Sequence, residues 1–242
     1  MRYEFTKSLP PTVEALLLFG SQSRGDPGYG SDTDLAVFVE VESLESLTEA
    51  KRQITQTIRD DPNVFFSVYS MKNAEAMASD GSLFLWHLKG EGAILYEKSG
   101  WLDGLMSRLQ PYSRPKALRD IATFQCVLRD IDVALNDEAS TLLFEASTLF
   151  SILRSLGMIV SMTNGSPNFR RWEPILQIKE LMGPSFALSP SDLNILHSAR
   201  LIYGRNCSSD VSRLTSELCR DLQKKVADVA NFSRRFICEA LR

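Results

Sequence analysis

Residues 18–39 read LFGSQSRGDPGYGSDTDLAVFV, and the order of parts within this stretch decides the fold. Just before it and running into it, residues 15–19 (ALLLF) form a short apolar run that stops at Gly20, as a buried strand does on entering a tight turn. A glycine-rich loop follows. After ten residues beyond Ser21, a second run begins with Asp32-Thr33-Asp34 and continues as Leu35-Ala36-Val37-Phe38-Val39, rich in β-branched and aromatic residues. The two runs read as neighbouring strands. Side chains of a strand alternate between faces, so Asp32 and Asp34 project to the same side of the sheet.

Two carboxylates on one face can share hard cations. Mg²⁺ favours carboxylate and phosphate oxygens and keeps part of its shell for other ligands, so this pair suits a metal held against a triphosphate tail. Gly20 lets the backbone approach phosphate oxygens closely, and the Ser21 hydroxyl can donate a hydrogen bond to them. Arg24 offers a guanidinium to the same phosphates. Together these are the parts that metal-assisted phosphoryl transfer requires. At ordinary residue frequencies, four such fixed positions coincide by chance at about one start in 10⁵.

The pattern Gly20-Ser21, ten residues, Asp32-x-Asp34 resembles the signature of the polymerase-β-like nucleotidyltransferases. The loop with Arg24 and the pair Ser31-Asp32 is most similar to the minimal nucleotidyltransferases of prokaryotes. The resemblance covers about residues 14–97 and is strong over residues 18–39. It implies a mixed sheet flanked by helices, with Mg²⁺ at Asp32 and Asp34 and a nucleoside triphosphate bound by Gly20, Ser21, Arg24 and Ser31. It further implies transfer of a nucleoside monophosphate to an acceptor hydroxyl, with release of pyrophosphate. Active relatives carry a third carboxylate on a later strand. The matching run here, Val64-Phe65-Phe66-Ser67-Val68-Tyr69, has no acid, and Ser67 stands at the expected place. Glu75, Asp80 or Glu91 would have to supply that group from a helix or loop. The alternative to an enzyme is therefore a regulatory or antitoxin-like protein that binds the nucleotide without turnover.

Outward from the core stretch, Leu44, Leu47, Ile54 and Ile58 recur at helical spacing behind a capping Ser43, and Pro62 ends that helix. A strand at Val64–Tyr69, a helix over about 74–89 and a short strand at 93–96 complete a β, β, α, β, α, β order. This is an α+β domain with a mixed sheet. From Gly100 the strand signal stops, and helical patterns occupy segments near 101–110, 115–136, 139–163, 170–182, 190–205 and 210–241. The expected organisation is a nucleotidyltransferase domain over 1–98 and an all-α helical bundle over 99–242, with the transition falling between 98 and 112.

That second half resembles, more weakly, the substrate domain of kanamycin-type nucleotidyltransferases and the HEPN domains of toxin–antitoxin pairs. HEPN ribonucleases need an Arg followed four to six residues later by His. Neither His87 nor His197 has an Arg at that distance upstream, which argues against ribonuclease activity.

With 242 residues, 44% hydrophobic and 24% charged, the chain has the composition of a globular protein with room for two cores. Residues 1–97 carry a net −7 and residues 98–242 a net +4, a split compatible with docking of the two halves, with an RNA, nucleotide or protein partner on the basic helical half, or with an evenly scattered, solvated surface. The basic half also argues mildly against a polycationic acceptor. No secretion-type start and no bilayer-length apolar stretch is read, which points to the cytoplasm and away from membranes. Cys126, Cys207, Cys219 and Cys238 lack metal-site spacing and read as reduced thiols. His87 reads as a hydrogen-bonded packing residue near a helix end. The segment Asn168-Phe169-Arg170-Arg171-Trp172 mixes guanidinium groups and aromatics, compatible with either a phosphate-and-base contact or an ordinary helix start.

Overall fold

The computed structural model describes residues 6, 8–26, 32–58, 64–137, 141–205, 211 and 213–239. The chain divides into two compact units, Met1–Tyr112 and Ser113–Arg242.

The first unit is built on four strands, β1 (Val13–Phe19), β2 (Thr33–Val39), β3 (Val64–Ser70) and β4 (Ala93–Glu97), in the order β3-β2-β1-β4. β1 runs antiparallel to both β2 and β4, while β2 and β3 are parallel. The parallel pair needs a crossover, which α2 (Leu44–Ile58) supplies. Among the described residues, the single turn α1 (Ser21–Arg24), α2, α3 (Met71–Ser79), α4 (Leu83–Glu91) and α5 (Trp101–Ser107) accompany the strands.

Alternation divides the sheet into two apolar faces. Leu16, Leu35, Val37 and Val39 pack with Ala50, Ile54 and Ile58 of α2. Ala15, Leu17, Ala36 and Phe38 pack with Ala74 and Ala78 of α3, Leu85 and Leu88 of α4, and Leu102 and Leu105 of α5. With both faces covered, the central strands β1 and β2 are almost wholly apolar, which is why their sequences read as continuous runs rather than as alternation.

The single helix expected over 74–89 is two helices. Gly81 adopts φ 67° between α3 and α4, and a Cβ there would lie 2.7 Å from the Pro111 carbonyl oxygen. That elbow turns α4 so that Leu85 and Leu88 face the same core as α3. α5 belongs to the first unit because Leu102, Leu105 and Leu109 complete that core.

The second unit comprises α6 (Arg114–Asn136), α7 (Leu143–Thr163), α8 (Glu173–Met182), α9 (Pro190–Arg205) and α10 (Ser216–Glu239). α7 is its centre, packing against α6, α8, α9 and α10. Contrary to the sequence reading, α7 is long and apolar enough, by length and composition, to pass for a membrane span. Its apolar stretch is 67% buried within the protein, as in a core helix. α8 approaches α7 closely at Gly157, where any Cβ would collide with the backbone carbonyl of Pro174. At the start of α9, Ser189 and Asp192 cap one another, the Ser189 amide donating to Asp192 Oδ2 and the Asp192 amide to Ser189 Oγ. Lys225 of α10 reaches the same Asp192 carboxylate at 3.0 Å.

Candidate active site

The register of β1 on β2 places Phe19 opposite Asp34, so the chain leaving β1 passes directly beside that carboxylate. Gly20 takes φ 76° and ψ −153°, a conformation that L side chains rarely adopt. Space imposes the same choice, since a Cβ on Gly20 would sit 2.9 Å from Asp34 Oδ2. The turn therefore brings bare backbone against the acid. Ser21–Arg24 then form one helical turn that Gly25 closes in the left-handed region, with the Asp26 amide donating to the Ser21 carbonyl at 3.1 Å.

Asp32 lies immediately before β2 and is only 8% exposed, while Asp34 is half-buried. Asp34 shares its face with Ala36 and Phe38, so it stands at the end of the face that α3, α4 and α5 cover. Ser31 lies outside the described residues. The structure thus brings Gly20, Ser21 and Asp34 to one sheet end and holds Asp32 buried at the entry of β2.

Arg24 has two carboxylate partners. Its Nη1 donates to Glu91 Oε2 at 2.5 Å, and its Nε donates to Asp26 Oδ1 at 3.1 Å. Partial burial works against the charged guanidinium, but the hydrogen bonds and charges of Glu91 and Asp26 outweigh it and raise the Arg24 pKa above its ordinary value. Glu91 shows the converse. Burial opposes its ionisation, yet hydrogen bonds from His87 and Arg24 prevail and hold its carboxyl below the usual range. His87 Nε2 lies 3.0 Å from Glu91 Oε2, and the imidazole edge meets the Phe19 ring with centroids 5.4 Å apart. His87 is thus a bonded packing residue near the end of α4, as its sequence context predicts.

The parallel register of β3 on β2 sets Phe65 opposite Asp34 and Ser67 opposite Ala36. Val64, Phe66 and Val68 pack on the α2 side and Tyr69 on the other, so Phe65 and Ser67 share the face of Asp34. The residue directly across from Asp34 is an exposed phenylalanine, with Ser67 one step further along that face. Glu75 receives a hydrogen bond from Trp101 Nε1 at 3.2 Å, and Glu91 is bound as described. Among the described residues no group of three or more His, Cys, Asp or Glu side chains gathers as a metal site.

Sequence reasoning missed the tie between Glu91 and the turn after β1. Its only trace is that Glu91-Gly92 directly precedes β4, and it becomes meaningful once β4 is known to lie beside β1, with Ala93 opposite Leu18. In the second unit, the mixed segment 168–172 is packed: Phe169 is buried, and Arg154 donates to the carbonyls of Phe169 and Arg170. Trp172 meets Phe150 and His197 edge-on.

Comparison with known proteins identifies the family to which the sheet-bearing part of the chain is similar. Residues 4–100 match the family model described as polymerase beta, nucleotidyltransferase. No curated protein matches the chain by sequence. Among solved structures, the spectinomycin adenyltransferase AAD(9) from Enterococcus faecialis, determined with ATP and spectinomycin, is 14% identical over 91% of this chain and 94% of its own, with a TM-score of 0.53. A toxin–antitoxin structure with AMP-PNP is 15% identical over 57% of this chain and 94% of its own, with a TM-score of 0.31. The likeness to the adenyltransferase extends the shared fold across both units. From the family match and the mixed sheet at whose end Gly20, Ser21, Asp32 and Asp34 lie, residues 4–100 are a nucleotidyltransferase domain of the polymerase-β type, followed by a helical unit.

Proposed function

We propose that the protein is a Mg²⁺-dependent nucleotidyltransferase that moves a nucleoside monophosphate, AMP from ATP, to a hydroxyl on a small molecule, protein or RNA. The observation that carries this reading is the packing of Gly20 against Asp34: a Cβ on Gly20 would lie 2.9 Å from Asp34 Oδ2, so a side-chain-free turn with its backbone open to a phosphate chain stands directly beside an acid suited to hold the metal. ATP bound in the adenyltransferase of similar fold supports the choice of donor. The donor set suits Mg²⁺, since Asp32 and Asp34 offer hard oxygens and the nucleotide supplies the others. When bound, the metal neutralises phosphate charge and polarises the α-phosphorus.

The chain's own residues then do the following. Asp32 and Asp34 hold the metal end of the site, and burial of Asp32 fixes its side chain. The Gly20–Ser21 turn receives the triphosphate through the Ser21 hydroxyl and the bare backbone. Arg24, restrained by Glu91 and Asp26, borders that turn. The acceptor oxygen attacks the α-phosphorus, the bond to the bridging oxygen breaks, and pyrophosphate leaves. The acceptor proton departs through Asp34 or water, because the described part of β3 offers no acid. The helical unit binds the acceptor, and the net positive charge of residues 98–242 favours RNA or an acidic protein surface there. We assign this activity to the cytoplasm, where ATP and Mg²⁺ are both available.

A second reading has its own observation. Phe65 and Ser67 on the Asp34 face favour a regulatory or antitoxin-like protein that keeps the nucleotide site without turnover. One experiment separates the two: incubate α-labelled ATP and Mg²⁺ with the protein, RNA and small-molecule fractions of a cell extract, using wild type and the Asp32→Ala/Asp34→Ala double variant. Label entering a fraction with wild type alone establishes the transferase and its acceptor class. Nucleotide binding with no labelled fraction, for any of the four nucleotides, establishes the binding protein.

A further inference from the structure

Ser23, His87 and Glu91, which the transfer chemistry leaves without a task, form a cluster with Arg24 of the turn. Glu91, the last residue of α4, meets α1 twice. Its backbone carbonyl accepts a hydrogen bond from Ser23 Oγ at 2.5 Å, and its Oε2 accepts one from Arg24 Nη1 at 2.5 Å. The same Oε2 lies 3.0 Å from His87 Nε2, one helical turn earlier. A carboxylate oxygen only accepts, so Nε2 carries the proton and the imidazole is the donor. The His87, Glu91 and Arg24 side chains are only 11%, 15% and 16% exposed, so water competes poorly for these bonds.

α1 cannot hold its own geometry. It is a single turn of four residues with no side-chain cap, far below the length at which a helix persists unaided. Gly20 before it and Gly25 after it both have positive φ and add backbone freedom in the unfolded chain. Restraint must come from outside the turn, and Glu91 touches it through backbone and side chain together. His87 stiffens that contact from behind and packs on Phe19, the residue opposite Asp34.

We infer that Glu91, supported by His87, is a positioning residue that fixes the Ser21–Arg24 turn beside Asp34. Its importance for nucleotide affinity rests on the proposed reading of that turn as the phosphate-binding segment, whereas its effect on the turn itself does not. The full chain is tested as wild type, Glu91→Gln, His87→Gln, Arg24→Gln and the Glu91→Gln/Arg24→Gln double variant. Two quantities are measured: the Kd for MgATP by calorimetry, and amide hydrogen exchange at residues 21–25.

Glu91→Gln is expected to weaken MgATP binding roughly tenfold and to speed exchange at the turn by a similar factor, the loss of one charge-assisted bond. His87→Gln acts in the same direction by about threefold, less than Glu91→Gln because the Arg24–Glu91 ion pair that touches the turn directly is kept. Because Glu91 acts through Arg24, the double variant costs little more than the worse single. A generally destabilising change would instead lower the melting temperature and leave both quantities unaltered in the folded fraction. Folded Glu91→Gln with unchanged exchange overturns the inference. Should Glu91→Gln fail to fold, unchanged exchange in His87→Gln overturns it equally. If exchange responds while wild type binds no MgATP, the positioning role stands and the phosphate-binding reading of the turn falls.

Discussion

Gly20→Ala tests the site at the scale of one residue. The added methyl meets Asp34 Oδ2 and the backbone has positive φ, so the change should cost about 1–3 kcal/mol of stability. Nucleotide affinity should fall with it, as melting curves and binding isotherms would record. Phe65→Glu makes the opposite test, placing a carboxylate across from Asp34 on the open face of the sheet. Tighter Mn²⁺ binding, read by electron paramagnetic resonance, is the expected outcome. Glu91 supplies a pH signature. Its folded pKa is depressed, so its stabilising contribution is full above the unfolded carboxylate value of about 4.3 and is lost as pH falls through the lower folded value. The gap in melting temperature between wild type and Glu91→Gln should therefore be widest near neutrality and close in acid. At this scale the placement of Gly20, Asp32 and Asp34 at one end of the sheet is legible in the sequence, because all three lie within one strand–turn–strand stretch. It is silent about Phe65, whose place opposite Asp34 depends on a strand register set by apolar pairs such as Leu35 with Phe66 and Val37 with Val68.

Elements read from periodicity alone survive where a single face decides them. α2 and α6 appear as expected, since Ile54 and Ile58, or Ile121 and Leu128, recur on one buried side. The helical pattern over 74–89 conceals the Gly81 elbow, because both helices bury the same kind of residue and only their contact with Pro111 separates them. α7 misleads in another way: buried nearly all round, its composition imitates a membrane span. Its contact with α8 through Gly157 gives the prediction at this scale. Gly157→Ala should destabilise the helical unit by about 1–3 kcal/mol through overpacking against Pro174, despite the better helix propensity of alanine. Urea denaturation followed by circular dichroism would measure it. On α10, Cys219 is fully buried, and burial, then the charge of Glu145, pushes its thiol up to about 11. Cys126 and Cys238, both exposed, should react with a thiol reagent at pH 8 in the folded protein while Cys219 waits for unfolding.

For the whole molecule, two compact units imply two heat-absorption events, of which MgATP should raise the one belonging to residues 1–112. At a hundred times Kd, the stabilisation is about 2.7 kcal/mol, visible by scanning calorimetry as a selective upward shift. The order of strands and helices is legible along the chain because sheet and bundle follow one another without interleaving. The division between units is less so, since loss of strand pattern after residue 97 marks the last strand and not the last helix that packs on the sheet. Behind α5, the Gln110 amide donates to the Ala78 carbonyl at 3.0 Å, and Trp86 Nε1 donates to the Gln110 carbonyl at 3.0 Å. Gly81 leaves room for Pro111 beside them. The polypeptide is thus stitched to the elbow of α3 and α4 until just before Ser113. For recombination, natural or designed, this marks the seam. A graft of a foreign helical module after Tyr112 keeps the sheet-bearing unit whole, whereas a splice at residue 98 strips Leu102, Leu105 and Leu109 from its interior and leaves an apolar wound no new partner was shaped to close.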